Sequence, residues 1–414
     1  MSVAIVGWWA AGLMCAAALL EWWYDQKVFL FDRNPHLGAK VIISWWGRCN
    51  VTTWFYKRQD LKNKYPNGRE FIQDALMSFW PRKIRAWFED HWVTLKKEAD
   101  SRVFPVSDNG RDVVWAFDRL FSYHKNIHIR LRERVLDIKK DGDKFHITTN
   151  INIYQVDKVV IATGWNAYRH TWSSGDGYDF AMKLWHSITK LGPSLTSFET
   201  KDKKLHELSW ISFPNSRIIT QDNQKFDGPL LLTHFGITWP MVFAFSAHIP
   251  FVNIDKNNPL IIKWMPNNDI SYEKWIEILQ DRHDNSPHKQ INTVLKNYFP
   301  TRFIEFIMCK IDVNPTQIVW SFGKNLFKSI AQALGNWITV DIVWRRNGDE
   351  FVTSWWIPTK EINPKTMESL LCSWLYFWWE IMDIDWVTWG YNLTSSWATW
   401  KLAWTNIITA TDKL

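Results

Sequence analysis

The sequence predicts an α/β protein, and three observations carry that expectation. A short β-branched run, Ser2–Val6, passes through a turn into the Ala/Leu-rich stretch Ala10–Leu20, the pattern of a buried strand followed by a helix. A second apolar run, Lys27–Phe31, ends in Asp32, completing a βαβ unit. A third, Lys158–Ala162, returns to a turn at Thr163-Gly164.

The first turn carries chemistry. Gly7-Trp8-Trp9-Ala10-Ala11-Gly12 stands where a dinucleotide fingerprint, G-x-G-x-x-G, would stand. That fingerprint uses its first Gly for the tight turn, its second so the backbone can approach the pyrophosphate, and its third for helix–strand packing. Gly7 and Gly12 fit the first and third places, and Trp9 occupies the second. Asp32, twenty residues after Gly12, is placed to accept hydrogen bonds from the adenosine ribose. The competing reading is a hydrophobic core hairpin with an incidental acid.

Composition bounds the rest. At 414 residues, two or three compact units are expected. The formal charge of +7 contains no block of five or six like charges, so no nucleic-acid partner is expected. Cys15, Cys49, Cys309 and Cys372 form no CxxC pair, and none of the 12 His falls in HExxH spacing, so reduced thiols in a cytoplasm and no metal are expected. The uncharged run Met1–Leu20 lacks a basic start and meets Glu21 and Asp25, so neither a signal peptide nor a membrane span is expected. One ratio is abnormal. Trp is 31/414, about 7%, and Gly is 17/414, about 4%, against an average Gly usage of about 7%. Trp-Trp doublets stand at 8–9, 22–23, 45–46, 355–356 and 378–379.

Along nearly its whole length the chain resembles the bacterial FAD-binding flavoproteins known as NAD(P)/FAD-dependent or aminoacetone-oxidase-like enzymes, a family that includes a bile-acid-pathway reductase. The family's G-G-G-A-A-G-L-M is G-W-W-A-A-G-L-M at Gly7–Met14, and its S-G-G-G-R-C-N-V-T is S-W-W-G-R-C-N-V-T at Ser44–Thr52. Intact motifs are R-V-F-P-V-S at Arg102–Ser107, S-G-D-G-Y at Ser174–Tyr178 and K-E-I-N-P-K-T-M-E-S at Lys360–Ser369. Family glycines are again Trp at Trp165 and Trp239, and at four of the five glycines within Leu375–Glu380 and Asp385–Leu393. Departures of a single kind point to a single cause. The expectation is a gene from a lineage that reads UGA as glycine, translated here with UGA as tryptophan.

The resemblance implies a Rossmann-like FAD-binding domain, discontinuous in sequence (1–192 and 352–414), with an inserted substrate or cap region (193–351) that is mixed β-barrel-like and helical, its helices at about 271–333. From the residues themselves, helices are read at Glu70–Trp92 (interrupted by Pro81) and a β-meander at Lys144–Gln155 in the first part, and helices at Ser271–Arg282, Pro287–Tyr298 and Thr301–Lys310 in the insert. The implied function is a cytoplasmic oxidoreductase moving a hydride through flavin N5, with NAD(P)H or oxygen as redox partner and a small-molecule substrate. No second complete G-x-G-x-x-G occurs, so NAD(P)H would bind transiently. An FAD-binding protein without turnover and an FAD-dependent RNA-modifying enzyme are the alternatives.

Cofactor contacts are implied at Gly7, Trp8, Trp9, Ala10, Ala11, Gly12, Asp32, Arg33 and Lys40; at Gly47, Arg48, Cys49 and Asn50; at Val135; at Ala162, Thr163 and Gly164; and at Glu380, Asp383, Gly390, Tyr391, Asn392 and Leu393. Candidates for the catalytic face are Arg48, Cys49, Asn50 and Arg102, with Cys49 also readable as a small core residue and Arg102 as a structural ion pair. His234 is read as a core or cavity residue rather than a proton donor.

Overall fold

In a computed structural model of the protein, residues 1–21, 26–44, 47–54, 61, 64–65, 67–164, 175–189, 192–335, 338–346, 352–354, 356–378, 381–384 and 390–409 are described. The chain divides into two compact units, Met1–Gly192 with Val352–Leu414, and Pro193–Phe351.

The first unit is organised by β1 (Val3–Val6), whose four residues are all buried. Burial on both faces is what parallel sheets impose, and it accounts for an unbroken Val-Ala-Ile-Val run instead of polar alternation. β1 pairs in parallel with β2 (Val28–Phe31) on one side and with β10 (Lys158–Ile161) on the other. β6 (Ile127–Arg130) extends the sheet beyond β2, and β19 (Leu375–Phe377) beyond β10. The resulting order is β19-β10-β1-β2-β6. The chain leaves β1 toward one edge and later returns on its other side, so the β1/β10 boundary is a topological switch point, where open α/β sheets hold ligands.

Helix α1 (Ala10–Glu21) follows β1 and is buried from Ala10 to Leu20. Its small Ala-rich surface lets it lie between the sheet and the C-terminal helix α12 (Tyr391–Thr409). The stretch read as a helix broken at Pro81 is two helices, α3 (Arg69–Ser78) and α4 (Pro81–Asp90), with the proline at N1, where its missing N–H costs nothing. The meander is formed by β7 (Val135–Asp141), β8 (Lys144–Thr149) and β9 (Ile153–Val156), all antiparallel. A further antiparallel sheet joins β3 (Thr52–Thr53), β5 (Arg102–Pro105) and β4 (Leu95–Lys97).

The second unit contains a closed antiparallel barrel with strand order β12-β15-β14-β13-β16-β17. Its strands run from Phe198–Thr200 through Ser212–Ile219, Lys225–Leu232, Gly236–Thr238 and Leu260–Met265 to Ile338–Arg345. Closure removes free strand edges. Helices α8 (Tyr272–Asn285), α9 (Ile291–Leu295), α10 (Thr301–Lys310) and α11 (Lys324–Gly335) share its core through Trp275, Phe303 and Ile330. The expected helix Pro287–Tyr298 is corrected to the five residues of α9. His234 is also corrected: it is exposed, with its ring 5.0 Å from that of Phe235, and is not a core residue.

Among the described residues no helix is long and apolar enough to cross a membrane, and no group of three or more His, Cys, Asp or Glu could hold a metal ion.

Candidate functional site

At the end of β1, Gly7 has φ +106° and donates its N–H to Phe31 O at 2.9 Å. A Cβ on Gly7 would lie 2.3 Å from Ala162 O, and one on Gly12 would lie 2.2 Å from Gly7 O. Backbone meets backbone at both places, so only glycine fits. The first turn of α1 follows at once, with amides that have no partner within the helix and a positive dipole end.

Asp32 sits just past β2. Its Oδ2 accepts from Trp8 N at 3.1 Å, and its Oδ1 accepts from Asn34 N and Nδ2, each at 2.7 Å. Burial raises its pKa, outweighing those donors and the nearby Lys40 charge. A carboxylate kept from water this way gains most from further hydrogen-bond donors.

These residues border a cleft beyond the carboxyl ends of β1 and β2, whose lining includes Trp8, Trp9, Asp32, Arg33, Lys40, Glu133, Val135, Thr163 and Asp176. Thr163 Oγ1 is buried without a hydrogen-bond partner among the described residues, and Gly164 beside it has φ +73°. Arg134 reaches Asp176 at 3.1 Å and Arg33 reaches it at 3.6 Å, while the buried Glu133 accepts from Thr149 Oγ1 at 2.7 Å. Glu133, Arg134 and Asn34 were not singled out from the sequence. They lie three or four residues past β6 and β2, and position just past a strand is the one signal the sequence carries for them.

The cleft's volume is about 70 Å³. Sites for cofactor-sized ligands occupy roughly 300–1,000 Å³. Trp8 is buried against this space, and the Lys40 ammonium lies 4.7 Å from the centroid of the Trp9 ring. The backbone turn, Asp32 and the orphaned Thr163 hydroxyl fit FAD. The two indoles do not.

The second motif forms a different cluster. Arg48 pairs with Asp108 at 2.6 Å and with Glu98, and its guanidinium lies 4.0 Å over the Phe104 ring. Arg102 pairs with Asp100 at 2.7 Å and Glu98 at 3.2 Å, and Lys96 joins through Asp108 at 2.5 Å. Both arginines are thus held by carboxylates of their own neighbourhood. Cys49, at φ +58°, is fully buried, and burial pushes its thiol up to about 12, so it is protonated at neutral pH. Gly47 N–H and carbonyl lie in the turn that carries it, and Gly110 N–H donates to Gly47 O at 2.7 Å.

Asn50 is the joint between this motif and α12. With its amide oriented to satisfy both ends, it accepts from Gly390 N at 2.9 Å and donates to Thr52 O at 3.0 Å and Val103 O at 3.2 Å. Thr52 and Thr394 hydroxyls meet at 2.9 Å, and the Tyr65 hydroxyl meets Ser395 at 2.5 Å and donates to Tyr391 O at 3.2 Å. Tyr391 and Leu393 are buried, and Asn392 Oδ1 is buried without a hydrogen-bond partner among the described residues. Asp383 accepts from Asn67 Nδ2 at 2.8 Å, and burial raises its pKa to about 6. Glu380 lies outside the described residues, as do positions 45–46, 165–174, 379 and 385–389 of the quoted motifs.

Residues 1–406 match the family described as "HI0933-like protein Rossmann domain". A 3-dehydro-bile acid delta(4,6)-reductase of Clostridium scindens is 23% identical, with 97% of each chain covered. Ribosomal RNA dihydrouridine synthases of Haemophilus influenzae (25%, 95% of each chain) and Escherichia coli (26%, 97% of this chain and 95% of the other) are similar too. Solved structures alike in outline include an open flavocytochrome c3 fumarate reductase (14% identity, TM-score 0.42, 98% and 77% covered) and a quinol-fumarate reductase with menaquinol (12%, 0.47, 98% and 70%).

Proposed function

The chain belongs to the HI0933-like Rossmann family, and from that premise we propose that it is a cytoplasmic FAD-dependent reductase that saturates a carbon–carbon double bond in a small molecule. The observation that carries the reading is the turn at the β1/β10 switch point, where Gly7 and Gly12 leave no room for a Cβ and Asp32 Oδ2 accepts from Trp8 N, features that support a dinucleotide site. FAD bound there would supply hydride chemistry at flavin N5, with NAD(P)H as the electron donor and oxygen as the competing acceptor.

The residues of this chain bind and orient. Asp32 would accept hydrogen bonds from the adenosine ribose, and the open amides of the first turn of α1 would hold the pyrophosphate. Thr163 Oγ1 would donate its hydrogen to the group, and Lys40 would add positive charge for the phosphates. Gly390 and the N-terminus of α12 would stabilise negative charge on a flavin ring held there. Asn50, tied to Gly390 N, keeps that helix in place. Arg48 and Arg102, already paired, act as scaffold for the second motif.

The relatives' names favour double-bond reduction: a delta(4,6)-reductase and a dihydrouridine synthase each add hydrogen across such a bond. The same names favour a second reading, in which the substrate is ribosomal RNA. The gene, expressed with UGA read as glycine, tests both. FAD is expected to co-purify and to bleach with NADH or NADPH under anaerobic conditions. Reoxidation of the reduced protein by a conjugated enone, with no dihydrouridine formed in ribosomal RNA, selects the small-molecule reading. Dihydrouridine formation selects RNA, and flavin that no NAD(P)H reduces sinks the reductase reading altogether.

A further inference from the structure

Thirteen non-glycine residues among those described have positive φ, and five of the thirteen are Trp: Trp92 (+64°), Trp185 (+70°), Trp210 (+71°), Trp239 (+91°) and Trp374 (+66°). With Trp at 31/414 of the chain, about one would be expected by chance. A bulky side chain in this region is an outlier, whereas glycine enters it at no steric cost.

Local hydrogen bonds make the requirement specific. After α4, Val93 N–H donates to Phe88 O at 2.9 Å and Trp92 N–H to Glu89 O at 3.1 Å. After α6 (Asp176–Lys183), His186 N–H donates to Ala181 O at 3.0 Å and Trp185 N–H to Met182 O at 3.1 Å. Both pairs are Schellman closures, and in both Trp occupies the left-handed C′ position where glycine is the usual residue. Trp239 is stricter still. At φ +91° and ψ 174°, it lies in a region essentially confined to glycine. Trp92 is 59% exposed, Trp185 63% and Trp210 83%, and the contacts of the five rings include Arg119 at 3.9 Å over Trp92 and Lys158 at 4.5 Å over Trp374, cations on flexible stems that do not require a left-handed backbone. By contrast Trp87, on a helical backbone, stacks on His91 and donates its Nε1 to Glu21 at 2.9 Å, so its indole is used.

We infer that Trp92, Trp185, Trp210, Trp239 and Trp374 are glycine in the protein as its source makes it, and that Trp8 and Trp9, which close the cleft, are glycine by the same cause. Four of these five positions belong to none of the glycine motifs quoted above, so backbone conformation and motif comparison point independently to the same replacement. The consequence for the site is direct. Glycine at 8 and 9 removes two large side chains that line the cleft of about 70 Å³.

The coding DNA and the mass of the natural product test this, whether or not flavin binds. The expected result is UGA at all seven positions, with tryptic peptides from the source carrying glycine there. UGG at positions 92, 185, 210, 239 and 374 overturns the inference. A second arm needs no source material: in the printed chain, replacing those five Trp with Gly is expected to raise the melting temperature, while Trp115→Gly, inside helix α5 (Gly110–Ser122), lowers it. A fall in melting temperature for the five-fold variant also counts against the inference.

Discussion

Asp383 shows how much one residue's surroundings decide. Burial raises its folded pKa to about 6 from 3.8, with only Asn67 opposing. Between about pH 4 and 6 the folded chain therefore keeps a proton that the unfolded chain has released, and stability falls as pH rises through that window. Asp383→Asn is expected to match the parent below pH 4 and to exceed it above pH 6 by about 1–2 kcal/mol, allowing for partial solvent screening. Urea melts at pH 3.5 and 7 check this. Equal stabilities at pH 7 would count against it. Thiol chemistry gives a second residue-scale expectation. Cys309 is exposed while Cys15, Cys49 and Cys372 are buried, so a thiol reagent at pH 7 should label one site quickly and the other three only on unfolding. Rapid native labelling of Cys49 would return it to the catalytic candidates. Gly12→Ala puts a Cβ 2.2 Å from Gly7 O, and a loss of roughly 1–3 kcal/mol is expected in thermal unfolding.

At the scale of elements, local sequence was legible where a single physical rule governed. The Pro81 break, the last two strands of the meander and the β1–α1–β2 unit are legible because proline, alternation and β-branched runs act over a few residues, whereas the meander's first strand, β7, lies before the Lys144–Gln155 stretch. α9 is shorter than its helix-forming residues suggest, because at its start the Ile291 and Asn292 N–H groups donate to the Gln317 and Pro315 carbonyls instead of continuing a helix from Pro287. The ion-pair network that occupies Arg48 and Arg102 was not legible, since it joins residues 48, 96, 98, 100, 102 and 108 through a β-sheet whose pairing no periodicity announces. The helix ends supply the prediction here. Trp92→Gly alone relieves a left-handed C′ position, and a gain of about 1 kcal/mol is expected in chemical denaturation. A destabilised variant would show that the exposed indole contributes more than its conformation costs.

For the whole molecule, sheet order was the least accessible feature, because β19, β10, β1, β2 and β6 come from distant parts of the chain. Yet that order brings Gly7, Asp32 and Thr163 to one end of one sheet. The Pro193–Phe351 unit is continuous in sequence, with a closed barrel and its own core around Trp264, Trp275 and Phe303. Expressed alone, it is expected to melt cooperatively, and a non-cooperative melt monitored by circular dichroism would contradict its independence. At the carboxyl end of the parallel sheet the β1–α1 turn has the backbone of a dinucleotide cradle, and the Trp8 and Trp9 indoles line the space beside it. The direct measurement is a flavin titration of three chains: the printed one, Trp8→Gly/Trp9→Gly, and that double variant with Asp32→Ala. Saturable FAD binding by the double variant alone, weakened roughly 10- to 100-fold by Asp32→Ala, is the predicted result. FAD binding by the printed chain, or none by a folded double variant, would contradict it.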